Sequence, residues 1–217
     1  MRRLFVFDWD GTLMDSVGRI VSCLRQAAEE QGLEDLGDAG FGNVIGLGLP
    51  QAIAQLYPQL NPRQIEQFRD TYSARFVASD ARPSQLFPGA LELLETLRAR
   101  GHWVAVATGK SRRGLDRVLR ELGLDDCFDA TRCADETASK PDPRMLHEIV
   151  VALGAEPAQA VMIGDTEYDL EMAARARIRS LGVSFGVHSR ERLARHAPER
   201  IVDSLPEILA WEELRPH

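Results

Sequence analysis

The chain has 217 residues, 44% of them apolar and 27% charged, with a formal net charge of −7. That apolar content excludes disorder, and the length suffices for one large domain or for a main domain with an insertion. The negative balance offers no basic field to nucleic acid or an anionic membrane surface, so an anionic ligand must be held by local charges.

Leu4–Phe7 reads as a buried strand that ends abruptly at Asp8 and Asp10, with Gly11 turning the chain. Residues two apart in a strand share a face. The two carboxylates would then occupy one small space and need a divalent cation, a protonated partner, or both. Taken alone, this D-x-D-G pattern fits a plain turn equally well. A calcium loop is excluded, because the sixth and twelfth positions from Asp8 hold Leu13 and Arg19 rather than Gly and Glu. The apolar run is too short for a signal peptide or a membrane span.

Residues 15 to about 83 carry helical periodicity, first in Ile20, Cys23, Leu24, Ala27 and Ala28, then in Ile65, Phe68, Tyr72 and Phe76, with no convincing strand. A helical stretch following the first strand of an α/β sheet reads as an insertion. Its ends fall beside Asp8 and Asp10, where it could act as a lid; a helical decoration on the sheet edge is the duller alternative. After residue 87, strand-like and helix-like segments alternate, the signature of a parallel sheet covered by helices. Gly89–Arg100 is read as a helix, Trp103–Ala107 as a strand ending in Thr108-Gly109-Lys110, and Ser111–Leu122 as a helix stopped by Gly123. Phe128–Cys133 is a short strand. Asp142-Pro143 caps a helix running to Leu153 and stopped by Gly154, Ala160–Ile163 is the next strand, Tyr168–Ala176 a helix, and Ser180–Ser184 completes the series. The segment Ile201–Trp211 closes the core without a motif. Cys23, Cys127 and Cys133 form an odd set without metal-ligand spacing, which points to free thiols and a cytoplasmic protein.

Ligands of open parallel sheets bind beyond the carboxyl ends of the strands. This sequence places polar residues at four such ends: Asp8 with Asp10, Thr108, Lys140 before Pro141, and Asp165. Asp165 and Asp169 are four apart at a helix start and can aim at one place. Singly, each has an ordinary explanation: Thr108 as a helix cap, Lys140 as a solvated loop charge, Asp165 as an N-cap. Together they form a constellation. Lys110, Arg112 and Arg113 could read a substrate carboxylate, but a solvated helix start is the favoured reading.

The segments Asp8-Trp-Asp-Gly-Thr-Leu, Val106-Ala-Thr108-Gly-Lys, Ser139-Lys140-Pro-Asp-Pro and Ile163-Gly-Asp165-Thr-Glu-Tyr-Asp169 resemble, in order, the four motifs of the haloacid dehalogenase-like hydrolase superfamily. The likeness is strongest to its phosphoglycolate-phosphatase-like branch. It implies a Rossmann-like α/β core, residues 1–14 and 84–217, with an all-helical cap at 15–83, and a phosphatase of small phosphorylated metabolites. Asp8 would be the nucleophile, Asp10 the general acid and base, and Thr108 a donor to a phosphoryl oxygen. Lys140 would contact both Asp8 and the phosphoryl group. Mg²⁺ would be held by Asp8, Asp10 through its backbone carbonyl, and Asp165, with Asp169 orienting Asp165 or a metal-bound water. Gly11, Thr12, Gly109 and Lys110 are the candidate substrate-binding positions. The expected partner is a small-molecule phosphate ester, with neither nucleic acid nor membrane.

Two departures stand out. The helix after the fourth motif ends in Ala176-Arg177 where the family has Ala-Gly, which would put an arginine in a left-handed cap. Ile45-Gly-Leu-Gly48-Leu-Pro50 resembles the family's specificity loop, while Gln51 and the lack of a preceding strand argue against a dinucleotide site. Asp10 argues against dehalogenation, and Thr12 against a phosphosugar mutase. A signalling receiver, which also gathers Asp, Thr and Lys around Mg²⁺, has no acid/base two residues after its phosphoacceptor.

Overall fold

The computed structural model describes residues 2–79 and 85–213. Strand β1 (Leu4–Phe7) leads into a two-residue strand β2 (Met14–Asp15), which pairs antiparallel with β3 (Gln85–Leu86) on the far side of the helical stretch. There follow β4 (Trp103–Thr108), β5 (Ala130–Cys133), β6 (Ala160–Gly164), β7 (Arg179–Val183) and β8 (Arg200–Val202). With β1 they form a six-stranded parallel sheet in the order β5-β4-β1-β6-β7-β8. The chain builds outward from β1 first in one direction, through β4 and β5, and then in the other. That reversal opens a crevice at the carboxyl ends of β1, β4 and β6.

Helices α1 (Val17–Glu30), α2 (Gly37–Gly42), α3 (Leu49–Leu56) and α4 (Pro62–Ala78) lie between β2 and β3. The sheet helices are α5 (Ala90–Ala99), α6 (Arg112–Leu122), α7 (Arg144–Leu153), α8 (Glu167–Ala176), α9 (Arg190–Ala194) and α10 (Glu207–Glu213). Side chains of β1 alternate between two buried layers. Phe5 and Phe7 join Leu93 and Leu97 of α5 and Leu115 of α6; Leu4 and Val6 join Met145 and Ile149 of α7 and Met172 of α8. A strand buried on both faces needs no polar alternation, which is why β1, β4 and β6 read as continuous apolar runs. Helices α1–α4 bury a separate cluster, including Ile20, Leu24, Ala27, Phe41, Ile53 and Phe68, so the helical stretch has an apolar centre of its own. The expected boundary near residues 83 and 84 lies outside the described residues. No helix among the described residues is long and apolar enough to cross a membrane.

Gly123 and Gly154 stop α6 and α7 in left-handed conformations, as their positions predict. Arg177 takes the same conformation after α8, with φ 57°, at a cost of about 1 kcal/mol that a glycine would not carry. Three readings are corrected. The strand series does not end at Ser184, because β8 adds an edge strand too short and too exposed to show a period. Residue 15 belongs to a strand, paired through the β2–β3 ribbon rather than by any local pattern. At the start of α7, Pro143 occupies the N-cap, and the Asp142 carboxylate accepts the Arg144 N–H at 3.0 Å.

At the opposite end of the sheet, the C-terminal helix is clamped by a buried cluster. Glu212 of α10 pairs with Arg3 (3.3 Å), Arg100 (2.7 Å) and His102 (3.2 Å). His102 Nδ1 accepts the Arg3 backbone N–H at 3.1 Å, so a neutral ring with its proton on Nε2 satisfies both neighbours. Burial pulls the His102 pKa below its usual 6.5, against the opposing pull of Glu212. The unfolded chain therefore takes up a proton near pH 6.5 that the folded chain refuses, and stability falls as pH drops below that value. Denaturant unfolding between pH 5 and 8 is expected to show this decline, and His102→Gln to flatten it. Identical slopes for the two proteins would place the pH dependence elsewhere.

Candidate active site

Asp8 follows β1 directly, its N–H donated to Ile163 O of β6 at 2.9 Å. Its Oδ1 accepts the Trp9 N–H at 2.6 Å and lies 2.7 Å from Lys140 Nζ, whereas the buried Oδ2 has no hydrogen-bond partner. Lys140 Nζ also lies 2.7 Å from Asp169 Oδ1. The other oxygen of Asp169 accepts from Thr166 N (3.1 Å) and Thr166 Oγ1 (2.7 Å), closing a capping box at the start of α8. Thr166, and not Asp165, is therefore the N-cap. Asp165 faces inward, where Oδ1 accepts from Thr12 Oγ1 and Oδ2 from Val187 N, each at 2.8 Å. A Cβ on Gly11, whose φ is +81°, would fall 2.2 Å from Asp165 Oδ2; only glycine lets the first turn approach that carboxylate.

Oxygens of Asp8, Asp165 and Asp169 all lie within 4.8 Å of one another, and all three residues are buried. Burial pushes the Asp8 carboxyl well above its ordinary range; Lys140 opposes this, and the charges of Asp169 and Asp165 add to it. Asp165 is pushed up to about 7, first by burial and then by Asp169, against the Val187 N–H, the Thr12 hydroxyl and Lys140. Burial works against the Lys140 charge, but Asp169 and Asp8 outweigh it and hold the ammonium above its usual range. One ammonium cannot balance three carboxylates. An all-oxygen donor set of three buried carboxylates with residual negative charge fits a hard divalent cation.

Several of the expected site residues have other partners. The Asp10 carboxylate stands outside the triad: its Oδ1 accepts from Ser16 Oγ at 2.5 Å and lies 3.0 Å from Lys110 Nζ. The Thr12 hydroxyl, expected to face phosphoryl oxygens, is committed to Asp165, and the Gly11 N–H goes to Met14 O at 2.9 Å. Thr108 is fully buried and does not cap α6, a role taken by Ser111; its Oγ1 accepts the Lys110 N–H at 3.2 Å, leaving the hydroxyl proton to donate. Lys140 lies seven residues beyond β5 in a loop, not at a strand end, and is buried rather than solvated.

The favoured reading of Lys110, Arg112 and Arg113 as a solvated helix start holds only in part. Arg113 is exposed, Arg112 pairs with Glu136 and Asp116, and Lys110 turns inward. Sequence reasoning missed Ser16 and Val187 and gave Ser139, quoted only as part of a motif, no role of its own. Their contacts span 6 to 91 positions and follow no period.

The helical stretch reaches the site through residues 45–48. The Gly48 N–H donates to Ser139 Oγ at 2.8 Å, beside Lys140. Across from it, a Cβ on Gly109 would meet Leu47 O at 2.4 Å and Gly46 O at 2.7 Å. The Tyr168 hydroxyl donates to Asn43 O at 2.8 Å, tying α8 to the end of α2.

Carboxylates and a lysine gathered at the carboxyl ends of β1 and β6, with a helical insertion after β1, define a class of hydrolase. Residues 5–183 match the model of the haloacid dehalogenase-like hydrolases, and the chain belongs to that family. It is 33% identical over 215 residues to "Probable phosphatase IndB" of Dickeya dadantii (strain 3937), covering 96% of this chain and 93% of that protein. It is 30% identical over 220 residues to the phosphoglycolate phosphatase of Rhodospirillum rubrum, covering 97% and 91%. Among solved structures, a haloacid dehalogenase-like family hydrolase from Streptococcus pneumoniae superposes with a TM-score of 0.84 at 25% identity, covering 97% of this chain and 98% of that one. The chain is a phosphatase of this family.

Proposed function

We propose that this phosphatase hydrolyses a small phosphorylated metabolite, phosphoglycolate-like or a sugar phosphate, through an aspartyl-phosphate on Asp8, with Mg²⁺. The observation that carries this reading is the buried Asp8 Oδ2, unpartnered, while Oδ1 is fixed by the Trp9 N–H and Lys140. That leaves one aimed oxygen to attack phosphorus. As the Asp8 O–P bond forms and the ester P–O bond breaks, Asp10 gives its proton to the leaving oxygen. Its carboxylate then takes a proton from the water that attacks phosphorus, releasing orthophosphate and restoring Asp8. The Thr108 hydroxyl donates to a phosphoryl oxygen, and Lys140 offsets charge as transfer proceeds.

Asp8, Asp165 and Asp169 would surround the metal, with the Asp10 carbonyl as a further ligand; when bound, Mg²⁺ offsets the repulsion between these carboxylates and a phosphate dianion. Helices α1–α4 act as a cap whose residues select the ester, seated through residues 45–48 in the arrangement described. The relatives named phosphatase and phosphoglycolate phosphatase support the substrate class. A small-molecule ester is the only partner this reading needs.

The test is a panel of phosphoglycolate, sugar phosphates, ethyl phosphate and p-nitrophenyl phosphate, ranked by kcat/KM with and without EDTA. Hydrolysis is expected to vanish in EDTA and return with Mg²⁺. Full turnover by metal-free protein would remove the metal from the mechanism.

A further inference from the structure

The helical stretch meets the Asp10 carboxylate directly through Ser16 and, by way of Lys110 of the core, through Phe76 of α4. Lys110 follows Gly109 at the end of β4, and its side chain is 14% exposed. Its Nζ is 3.0 Å from Asp10 Oδ1 and 5.0 Å from the centroid of the Phe76 ring on α4. Arg19 of α1 fixes that end of α4: Nη2 donates to Phe76 O at 2.6 Å, Nε donates to Ser79 Oγ at 2.8 Å, and Cζ lies 4.1 Å from the ring centroid. Ser16, immediately before α1, grips the same Asp10 oxygen at 2.5 Å. No hydrogen bond to Asp10 Oδ2 is present among the described residues. The carboxylate is thus held by one oxygen, from the core side by Lys110 and from the insertion side by Ser16, with the other oxygen left to handle a proton.

We propose that Lys110 is a positioning residue for Asp10, and that its contact with Phe76 couples the aim of Asp10 to the seating of helix α4 on the core. An ammonium so placed has donors for Asp10 and a face for the aromatic ring, and it meets both only when α4 is seated. The inference rests on the acid and base role given to Asp10 above.

A positioned acid matters in proportion to the basicity of the leaving oxygen. An alkyl alkoxide must be protonated as it departs, whereas p-nitrophenolate leaves without a proton. The effect of disturbing Lys110 should therefore depend on the leaving group. A residue that merely supported the fold, or bound the phosphoryl group, would act on all esters alike.

The experiment measures kcat/KM of the protein on ethyl phosphate, p-nitrophenyl phosphate and phosphoglycolate for Asp10→Asn, Lys110→Met, Lys110→Arg, Phe76→Leu and the double variant Asp10→Asn/Lys110→Met. Lys110→Met is expected to cost ethyl phosphate about 10-fold more than p-nitrophenyl phosphate. Lys110→Arg should restore most of that difference, and Phe76→Leu should show a smaller loss of the same kind. Adding Lys110→Met to Asp10→Asn should cost nothing further on ethyl phosphate, because the group being positioned is already gone.

Equal losses on both esters, or full additivity in the double variant, would overturn the proposal. So would a loss confined to phosphoglycolate and absent with ethyl phosphate, which would make Lys110 a contact for the substrate's carboxylate. Should Lys110→Met fail to fold, the same comparison is read from Lys110→Arg and Phe76→Leu. If Asp10→Asn itself shows no dependence on the leaving group, the role of Asp10 falls; if it does and Lys110→Met does not, only this proposal falls.

Discussion

Asp8→Asn is expected to lower turnover by about four orders of magnitude while leaving the protein folded. The asparagine keeps the shape of the aspartate. Its Oδ1 can still accept the Trp9 N–H that Asp8 accepts at 2.6 Å, and its amide nitrogen replaces an oxygen that has no hydrogen-bond partner. The charge removed is one that burial and two neighbouring carboxylates already disfavour, so thermal stability in EDTA should hold or rise. What is lost is the free electron pair on Oδ2, for which no other side chain substitutes. Retention of more than about a tenth of wild-type turnover would show that the covalent route does not run through Asp8.

Lys140→Met is expected to damage both activity and stability. The Lys140 ammonium is fully buried and lies 2.7 Å from both Asp8 and Asp169. Removing one side of a buried pair costs about 3–5 kcal/mol, because the partners keep their desolvation without their counter-charge. For a chain of this length that corresponds to a fall in Tm of roughly 10 °C, measured in EDTA. Mg²⁺ should recover part of the loss, since it brings positive charge to the same carboxylates, whereas the lost contact to the phosphoryl group keeps turnover low. An unchanged Tm in EDTA would mean that the three carboxylates are neutralised some other way, for instance by taking up protons.

Much of the core was legible because the signals for parallel strands and their helices are local. Val104–Ala107 and Ala160–Ile163 are apolar runs of strand length, and Gly123 and Gly154 end helices by a conformation that glycine favours. Even the left-handed Arg177 was readable as a departure from a pattern. Strand β8 was not, since three residues, one exposed and one half-buried, carry no period. Its place is set by pairing with β7.

The site shows the same division. Residue types and order brought Asp8, Lys140, Asp165 and Asp169 to one place on paper, and the structure brings them together. It does not bring the Asp10 carboxylate into that group. Which way Asp10, Thr12 and Lys110 turn depends on partners such as Asp165, 153 positions from Thr12, and Phe76 on another helix. Lys110 illustrates the limit: three basic residues within four positions look alike in the sequence, yet one is exposed, one pairs at the surface and one turns inward.

The close approach of residues 46 and 47 to Gly109 bears on mutational tolerance. Ordinary van der Waals contact begins at 3.4 Å, so a methyl group at position 109, 2.4 Å from Leu47 O, would drive the two backbones about 1 Å apart. The loop meets the sheet end through carbonyl groups, which every amino acid carries, so the approach does not depend on the side chain at position 47, while Gly46, with φ 101° and a Cβ position 3.1 Å from Thr166 Oγ1, is fixed by its own backbone. Position 109 has no such latitude. Because the Gly48 N–H is bonded to Ser139 next to Lys140, the displacement would also reach the segment that carries the buried ammonium. A single absent side chain thus acts as the spacer between the helical insertion and the catalytic sheet, and variation in the insertion is free only while that spacer keeps its thickness.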